Sequence, residues 1–279
     1  MEFLNDANTC LEKFHEIVNT GGCLEFDRTK GIKTGVDLGT SSIVFVVLDS
    51  ENNPVFGAFE YADAVKDGLV VNYQKSVEIV SRLKAQAEEA LGCNITSASG
   101  AIPPGTLGNN KRVVGNVIES SFMQSDKLID EPTAAALLLS LANGAVIDVG
   151  GGTTGISIIK NDKIAFVADE PTGGTHMTLV LAGYHKMAIE EAELLKRDPE
   201  HARNNFVIIK PVVEKMADIC KKILQKHPSE PLVVVGGASY FDEFEKVFSA
   251  YLQQEVYKPV YPQYVTPIGI AMSSNIQSI

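Results

Sequence analysis

Val146-Ile147-Asp148-Val149-Gly150-Gly151-Gly152-Thr153-Thr154-Gly155-Ile156-Ser157-Ile158-Ile159 joins two apolar runs through one carboxylate, three glycines and two threonines. Ile and Val favour strands and Gly supplies a tight turn, so the stretch predicts strand, turn, strand. Glycines without Cβ let backbone N–H groups come close to an anion. The hydroxyls of Thr153 and Thr154 can donate to phosphate oxygens. Asp148, ending the first strand, can hold a divalent cation through its waters, because Mg²⁺ gives up water reluctantly. Taken alone, the loop reads equally well as an ordinary Gly-rich hairpin.

The same grammar occurs earlier, in Gly35-Val36-Asp37-Leu38-Gly39-Thr40-Ser41-Ser42-Ile43-Val44-Phe45-Val46-Val47. An apolar residue, an Asp, a Gly and hydroxyls precede a β-branched run. Two copies of a phosphate-gripping hairpin predict two similar lobes closing on one nucleotide from opposite sides. A third piece, Leu232-Val233-Val234-Val235-Gly236-Gly237-Ala238-Ser239, reads as a buried strand ending in a turn where a flat base or ribose can approach the backbone. The order and spacing of the three pieces carry more weight than any one of them.

These residues resemble the actin, DnaK-type chaperone and sugar-kinase superfamily. Asp37 to Ser41 is similar to its first phosphate loop, Asp148 to Thr154 to its second, and Val233 to Ala238 to its adenosine motif. Asp130-Glu131-Pro132-Thr133-Ala134-Ala135-Ala136 resembles its connecting helix in the form typical of DnaK-type chaperones. A narrower resemblance, to ethanolamine utilization proteins of that superfamily, also rests on Lys66-Asp67-Gly68-Leu69-Val70, Pro103-Pro104-Gly105-Thr106, Ala168-Asp169-Glu170, Gly173-Gly174, and Pro211-Val212 through Glu214-Lys215-Met216-Ala217-Asp218.

The resemblance implies a two-lobed actin-like (ribonuclease H-like) α/β ATPase fold, with duplicated mixed β-sheet cores and a nucleotide cleft between them. It implies ATP and Mg²⁺ as cofactors. Asp37 and Asp148 would hold Mg²⁺ through water. Gly39, Thr40 and Ser41 would take one side of the phosphate tail, and Gly150, Gly151, Gly152, Thr153 and Thr154 the other. Gly174, Gly236, Gly237 and Ala238 would complete the nucleotide site. Glu131 reads either as the group that orients an attacking water or as a favourable charge at a helix N-terminus. Glu214 reads either as a ribose ligand or as part of a solvated helix face. With Asp37 and Asp148, Glu131 completes the candidate catalytic set, since positioning and charge neutralisation are most of phosphoryl transfer.

Composition sets outer limits. The chain has 279 residues, enough for one large domain or two lobes, and its 45% apolar content supports a real core. A net charge of −11 argues against nucleic acid, whose backbone needs clustered Lys and Arg. Cys10, Cys23, Cys93 and Cys220 are scattered, form no C-x-x-C pair, and read as reduced thiols suited to the cytoplasm. No apolar run reaches the ~18 residues of a membrane span, and no secretory signal is expected.

Along the chain, Phe3, Leu4, Ala7, Leu11, Phe14, Ile17 and Val18 recur at helical spacing, with Gly21-Gly22 as the stop. This amphipathic helix reads as packed on its own domain or as a docking tag. The tag reading follows from the resemblance, because such helices target cargo to bacterial microcompartments. The chain is expected to divide into residues 1–30, helix and linker; 31–138, the first lobe; and 139–279, the second. A C-terminal helix over about 266–277 is expected to return to the first lobe. A three-stranded meander is expected over residues 32–61 and again from 146 to 168, which suggests internal duplication. Helices are expected at 76–91, 207–227 and 240–252, and Asp198 to Asn205 reads as a polar surface turn.

In function the resemblance implies an ATP-binding assembly or reactivation chaperone. Its client would be an ethanolamine-pathway enzyme such as ethanolamine ammonia-lyase, or the microcompartment itself. Two departures bear on turnover. Lys66 opens a segment more like the bacterial actin MreB than the catalytic lysine of DnaK, and the chain is shorter than a chaperone ATPase domain. Both fit a slow ATPase or a switch with little turnover. A small-molecule kinase and a nucleotide-dependent filament or scaffold protein share the fold and stay open as alternatives.

Overall fold

The computed structural model describes residues 2–66, 69–102 and 109–279. Pro103-Pro104-Gly105-Thr106 and the Asp67-Gly68 step lie outside them. The chain forms two compact units, one of residues 1–141 with 264–279 and one of residues 142–263.

The first unit opens with α1 (Asn5–Ile17). Leu4 and the helix's Ala7, Leu11, Phe14 and Ile17 are buried, so its apolar stripe belongs to the unit's own core. The helix ends at Ile17, ahead of Gly21-Gly22. Asn19, at φ 58°, makes the left-handed turn instead, and its Oδ1 accepts from the Phe59 amide. Asn tolerates this conformation because its short side chain bonds locally.

β1 (Ile32–Leu38), β2 (Ser42–Asp49) and β3 (Pro54–Tyr61) make the antiparallel meander. A small two-stranded ribbon, β4 (Val65–Lys66) and β5 (Leu69–Val70), follows. α2 (Tyr73–Leu91) is capped by Asn72, whose side chain accepts from the Lys75 amide, and stops at Gly92 in the left-handed conformation. β6 (Ser97–Ile102), α3 (Asn109–Ser120), β7 (Gln124–Asp130) and α4 (Glu131–Leu139) complete this part. The sheet order is β3-β2-β1-β6-β7, with β1, β6 and β7 mutually parallel. Parallel strands need covered faces; α2 and α3 cover this sheet through Ile79, Leu83, Val114 and Ile118.

The second unit repeats the plan. β8 (Gly144–Val149), β9 (Thr154–Lys160) and β10 (Lys163–Glu170) form an antiparallel meander. α5 (Gly174–His185), α6 (Ile189–Arg197) and α7 (Ala202–Leu224) follow, then β11 (Leu232–Val235), one 3-10 turn (Gly237–Ser239), α8 (Phe244–Leu252) and β12 (Val256–Tyr257). The order is β10-β9-β8-β11-β12, the same arrangement as in the first unit.

Two expectations are corrected. Residues 198–205 are not a surface turn throughout. Pro199–His201 is one 3-10 turn and α7 starts at Ala202. Asn205 is buried, its Nδ2 donating to Leu195 O at 2.7 Å, which removes the cost of burying an amide. The helix expected from Tyr240 begins only at Phe244, because Phe241 turns into the core and Glu243 takes φ 67°.

The chain then returns to the first unit as α9 (Val265–Ser273), whose residues Val265 to Ala271 are all buried. α9 crosses α4 and β1 at very short range. A Cβ on Gly269 would lie 1.8 Å from Ala134 O, and one on Gly35 would lie 2.5 Å from Ala271 N.

Candidate functional site

In the second unit, Asp148 is the last residue but one of β8 and is half-buried. It lies level with Val235 of the parallel neighbour β11. The chain leaves β11 through Gly236 at φ 93°, where a Cβ would sit 2.2 Å from Asp148 Oδ1 and 2.5 Å from Val149 O. The glycine therefore does more than admit a ligand: it makes room for the carboxylate.

The turn Gly150–Thr153 is built by its carbonyls. Gly150 N donates to Thr153 O at 2.9 Å. Gly150 O accepts from Gly174 N at 2.9 Å, and Gly151 O accepts from Thr175 N at 2.8 Å and from Thr175 Oγ1 at 2.9 Å. The first amides of α5 thus find partners in the turn. A Cβ on Gly173 would lie 2.7 Å from Gly150 O, so a side chain would break this contact. The amides of Gly151, Gly152 and Thr153 have no protein acceptor among the described residues. Three successive uncommitted N–H groups in a turn are the usual construction of an anion nest.

Three of the expected residues have partners within the protein. Thr154 was expected to donate its hydroxyl to a phosphate; it is fully buried and donates to Thr172 O at 2.7 Å. Gly174 spends its amide on Gly150, so its part is to hold the turn. Glu214, on α7, neighbours the Tyr251 hydroxyl of α8. Partial desolvation and the Glu214 charge push that tyrosine above its ordinary range.

Behind α5 stands Lys196, which sequence reading missed because a lysine in a Glu-rich helix looks solvated. It is 8% exposed. Its Nζ donates to Gly174 O at 3.1 Å, Thr178 Oγ1 at 2.8 Å and Glu193 Oε2 at 2.7 Å. Burial pulls the ammonium below the ordinary lysine range, against the opposing pull of Glu193. Burial raises Glu193 more than any one neighbour lowers it, but the Lys196 charge, the hydrogen bonds from Lys196 and Thr178 and the Arg197 charge together leave the carboxyl below its ordinary range.

The first unit carries a parallel construction. Asp37 lies in β1, paired with Val44 across the β1–β2 turn. In that turn the amides of Gly39, Thr40 and Ser41 have no protein acceptor among the described residues. A Cβ on Gly39 would lie 2.8 Å from Ser42 O. On the parallel strands Val36 is level with Gly100 and Ile102 with Asp130, so the carboxyl ends of β1, β6 and β7 share one edge. Open α/β sheets bind ligands at such edges. Asp37 and Glu131 both belong to this edge. Asp130 caps α4, accepting from Thr133 N at 3.0 Å and Thr133 Oγ1 at 2.8 Å. Glu131 is the next residue and is not needed for the cap.

No three His, Cys, Asp or Glu side chains cluster as a metal-ligating group among the described residues. Burial pushes the Cys10 thiol to about 11 and the Cys220 thiol to about 12, so neither is a ready nucleophile. No helix among the described residues is long and apolar enough to cross a membrane.

Comparison with known proteins gives the family of the chain. The cell division protein FtsA family matches residues 145–269, and the Hsp70 protein family matches residues 63–184. The chain is 39% identical over 245 residues to the ethanolamine utilization protein EutJ of Salmonella typhimurium, covering 88% of this chain and 86% of that one. It superposes on the crystal structure of EutJ from Carboxydothermus hydrogenoformans with a TM-score of 0.91 at 44% identity, covering 95% and 97% of the two chains. A chain of the PilM–PilN type IV pilus biogenesis complex shares the fold alone, with a TM-score of 0.71 at 14% identity over 88% of this chain and 98% of that one. The chain belongs to the EutJ family of ethanolamine utilization proteins, within the actin/Hsp70-type ATPases.

Proposed function

We propose that the protein is a nucleotide-dependent switch of ethanolamine utilization. It would bind ATP with Mg²⁺ and act as a chaperone, reactivation or assembly factor. Its client would be ethanolamine ammonia-lyase or a component of the microcompartment, in the cytoplasm or at that compartment. The observation that carries the nucleotide reading is the pair of turns whose amides at Gly39–Ser41 and Gly151–Thr153 have no protein acceptor among the described residues, each close to an aspartate.

In this reading the amides bind phosphate oxygens, and Asp37 and Asp148 hold waters of the cation. Bound Mg²⁺ supplies charge neutralisation for phosphoryl transfer. Glu131, the first residue of α4 at the edge that carries Asp37, orients the attacking water. Thr154 and Gly174 keep the second turn in shape. Gly236, Gly237 and Ala238 give the adenosine a close approach to backbone, and Glu214 exchanges Tyr251 for the ribose. Turnover is slow, and a client distinguishes the ATP-bound from the ADP-bound state.

The apolar face of α1 is buried in the first unit, which favours a structural helix over a projecting tag. Client contact then falls to the surface of the two units. Calorimetric titration of the purified chain with ATP and Mg²⁺, beside Asp148→Ala, tests the nucleotide reading. Saturable binding that Mg²⁺ strengthens in the wild type but not in the variant supports it; no binding in either protein refutes it. Pull-down of purified ethanolamine ammonia-lyase, stronger with one nucleotide than the other, tests the client.

A further inference from the structure

Lys196 is a buried ammonium with all three protons used, on Gly174 O, Thr178 Oγ1 and Glu193 Oε2. Buried ion pairs of this kind can often be replaced by apolar side chains without loss of stability, so packing alone gives no reason for the charge. Its position gives a better one. Gly174 is the first residue of α5, and its amide and that of Thr175 hold the carbonyls of Gly150 and Gly151. The single hydroxyl proton of Thr178 is shared between the same Gly174 O, at 3.0 Å, and Glu193 Oε2, the shorter contact. The backbone carbonyl of Lys196 separately accepts from the Tyr240 hydroxyl, next to the Gly236–Ser239 turn.

We propose that Lys196 is a positioning residue for the phosphate turn, fixing the first turn of α5 so that the Gly150 and Gly151 carbonyls stay committed to it and the following amides stay presented to phosphate. The inference rests on the nucleotide reading above and names the residue on which its phosphate half depends. The side chain acts on the phosphate turn, whereas the bond to Tyr240 uses backbone and survives substitution. Lys196 should therefore govern affinity for phosphate-bearing ligands and leave affinity for the nucleoside alone.

The test is calorimetric titration of the full chain with ADP and Mg²⁺ and, separately, with adenosine. Lys196→Met should weaken ADP by about tenfold or more, the scale of one charge-assisted hydrogen bond, and shift adenosine by less than about twofold. Thr178→Val, nearly isosteric, should give a smaller loss with the same selectivity, and is read alone if the Met variant does not fold. An unchanged ADP affinity overturns the proposal. So does an equal loss for ADP and adenosine, which marks a general structural role. A wild-type chain that binds neither ligand refutes the nucleotide reading itself, a result distinct from either.

Discussion

The ring of Phe14 occupies the space a side chain at Gly57 would need: a Cβ there would lie 2.4 Å from Phe14 Cε2. The same ring meets Tyr264 edge-on, with centroids 5.0 Å apart. α1 is thus keyed into β3 and into the start of α9. Phe14→Ala should destabilise the first unit by about 3–5 kcal/mol, the usual cost of emptying a buried aromatic site. Denaturant unfolding of the two proteins checks this. A loss under about 1 kcal/mol would mean that the helix is only loosely held.

Gly269 and Ala134 set the closest approach of α9 and α4, where a Cβ would be 1.8 Å from a backbone oxygen. No flexible side chain can give way there. Gly269→Ala should cost at least the ~1–3 kcal/mol typical of overpacking, although alanine has the better helix propensity. Thermal unfolding should show a lower midpoint. An unchanged midpoint would show that the helices can separate freely.

The sequence made the paired sheets legible because both meanders alternate dense β-branched runs with Gly-bearing turns. The two aspartates were legible for the same reason, since each interrupts an apolar strand immediately before its turn. Side-chain partners were not legible. Thr154 looks like Thr153 in sequence, yet strand alternation buries one and leaves the other in the turn. Asn205 and Lys196 read as solvent-facing because polarity is local, whereas their acceptors, Leu195 O and Gly174 O, arrive from other turns of chain. Gly236 was legible as a turn residue, but its contact with Asp148 needed the parallel register of β11 on β8.

Glu193 carries the pH dependence of the network behind α5. Its carboxyl is held below the ordinary glutamate value of 4.5, mainly by Lys196, against its own burial. A depressed carboxyl contributes stability that is complete above 4.5 and is lost as pH falls through the folded value. Glu193→Gln should remove about 1–3 kcal/mol near neutral pH, because Lys196 loses its ionised partner. The difference from wild type should shrink as the solution is acidified below the ordinary value. Equal acid slopes in both proteins would show that Glu193 does not set it.

Gly236→Ala should be more damaging to nucleotide binding than its size suggests. Alanine is strained at φ 93°, and its Cβ would press on Asp148 Oδ1 and Val149 O together. The carboxylate and the start of the phosphate turn must then both shift. Asp148→Ala removes the carboxylate alone, so it should abolish the dependence of ATP affinity on Mg²⁺ and leave the weaker, metal-free affinity largely in place. Gly236→Ala should lower affinity both with and without Mg²⁺, since displacement of Val149 carries into the amides of Gly151 to Thr153. Titrations of the two variants with ATP, with Mg²⁺ and with excess chelator, separate these outcomes. If Gly236→Ala matched wild type under both conditions, the close contact with Asp148 would have no part in shaping the site.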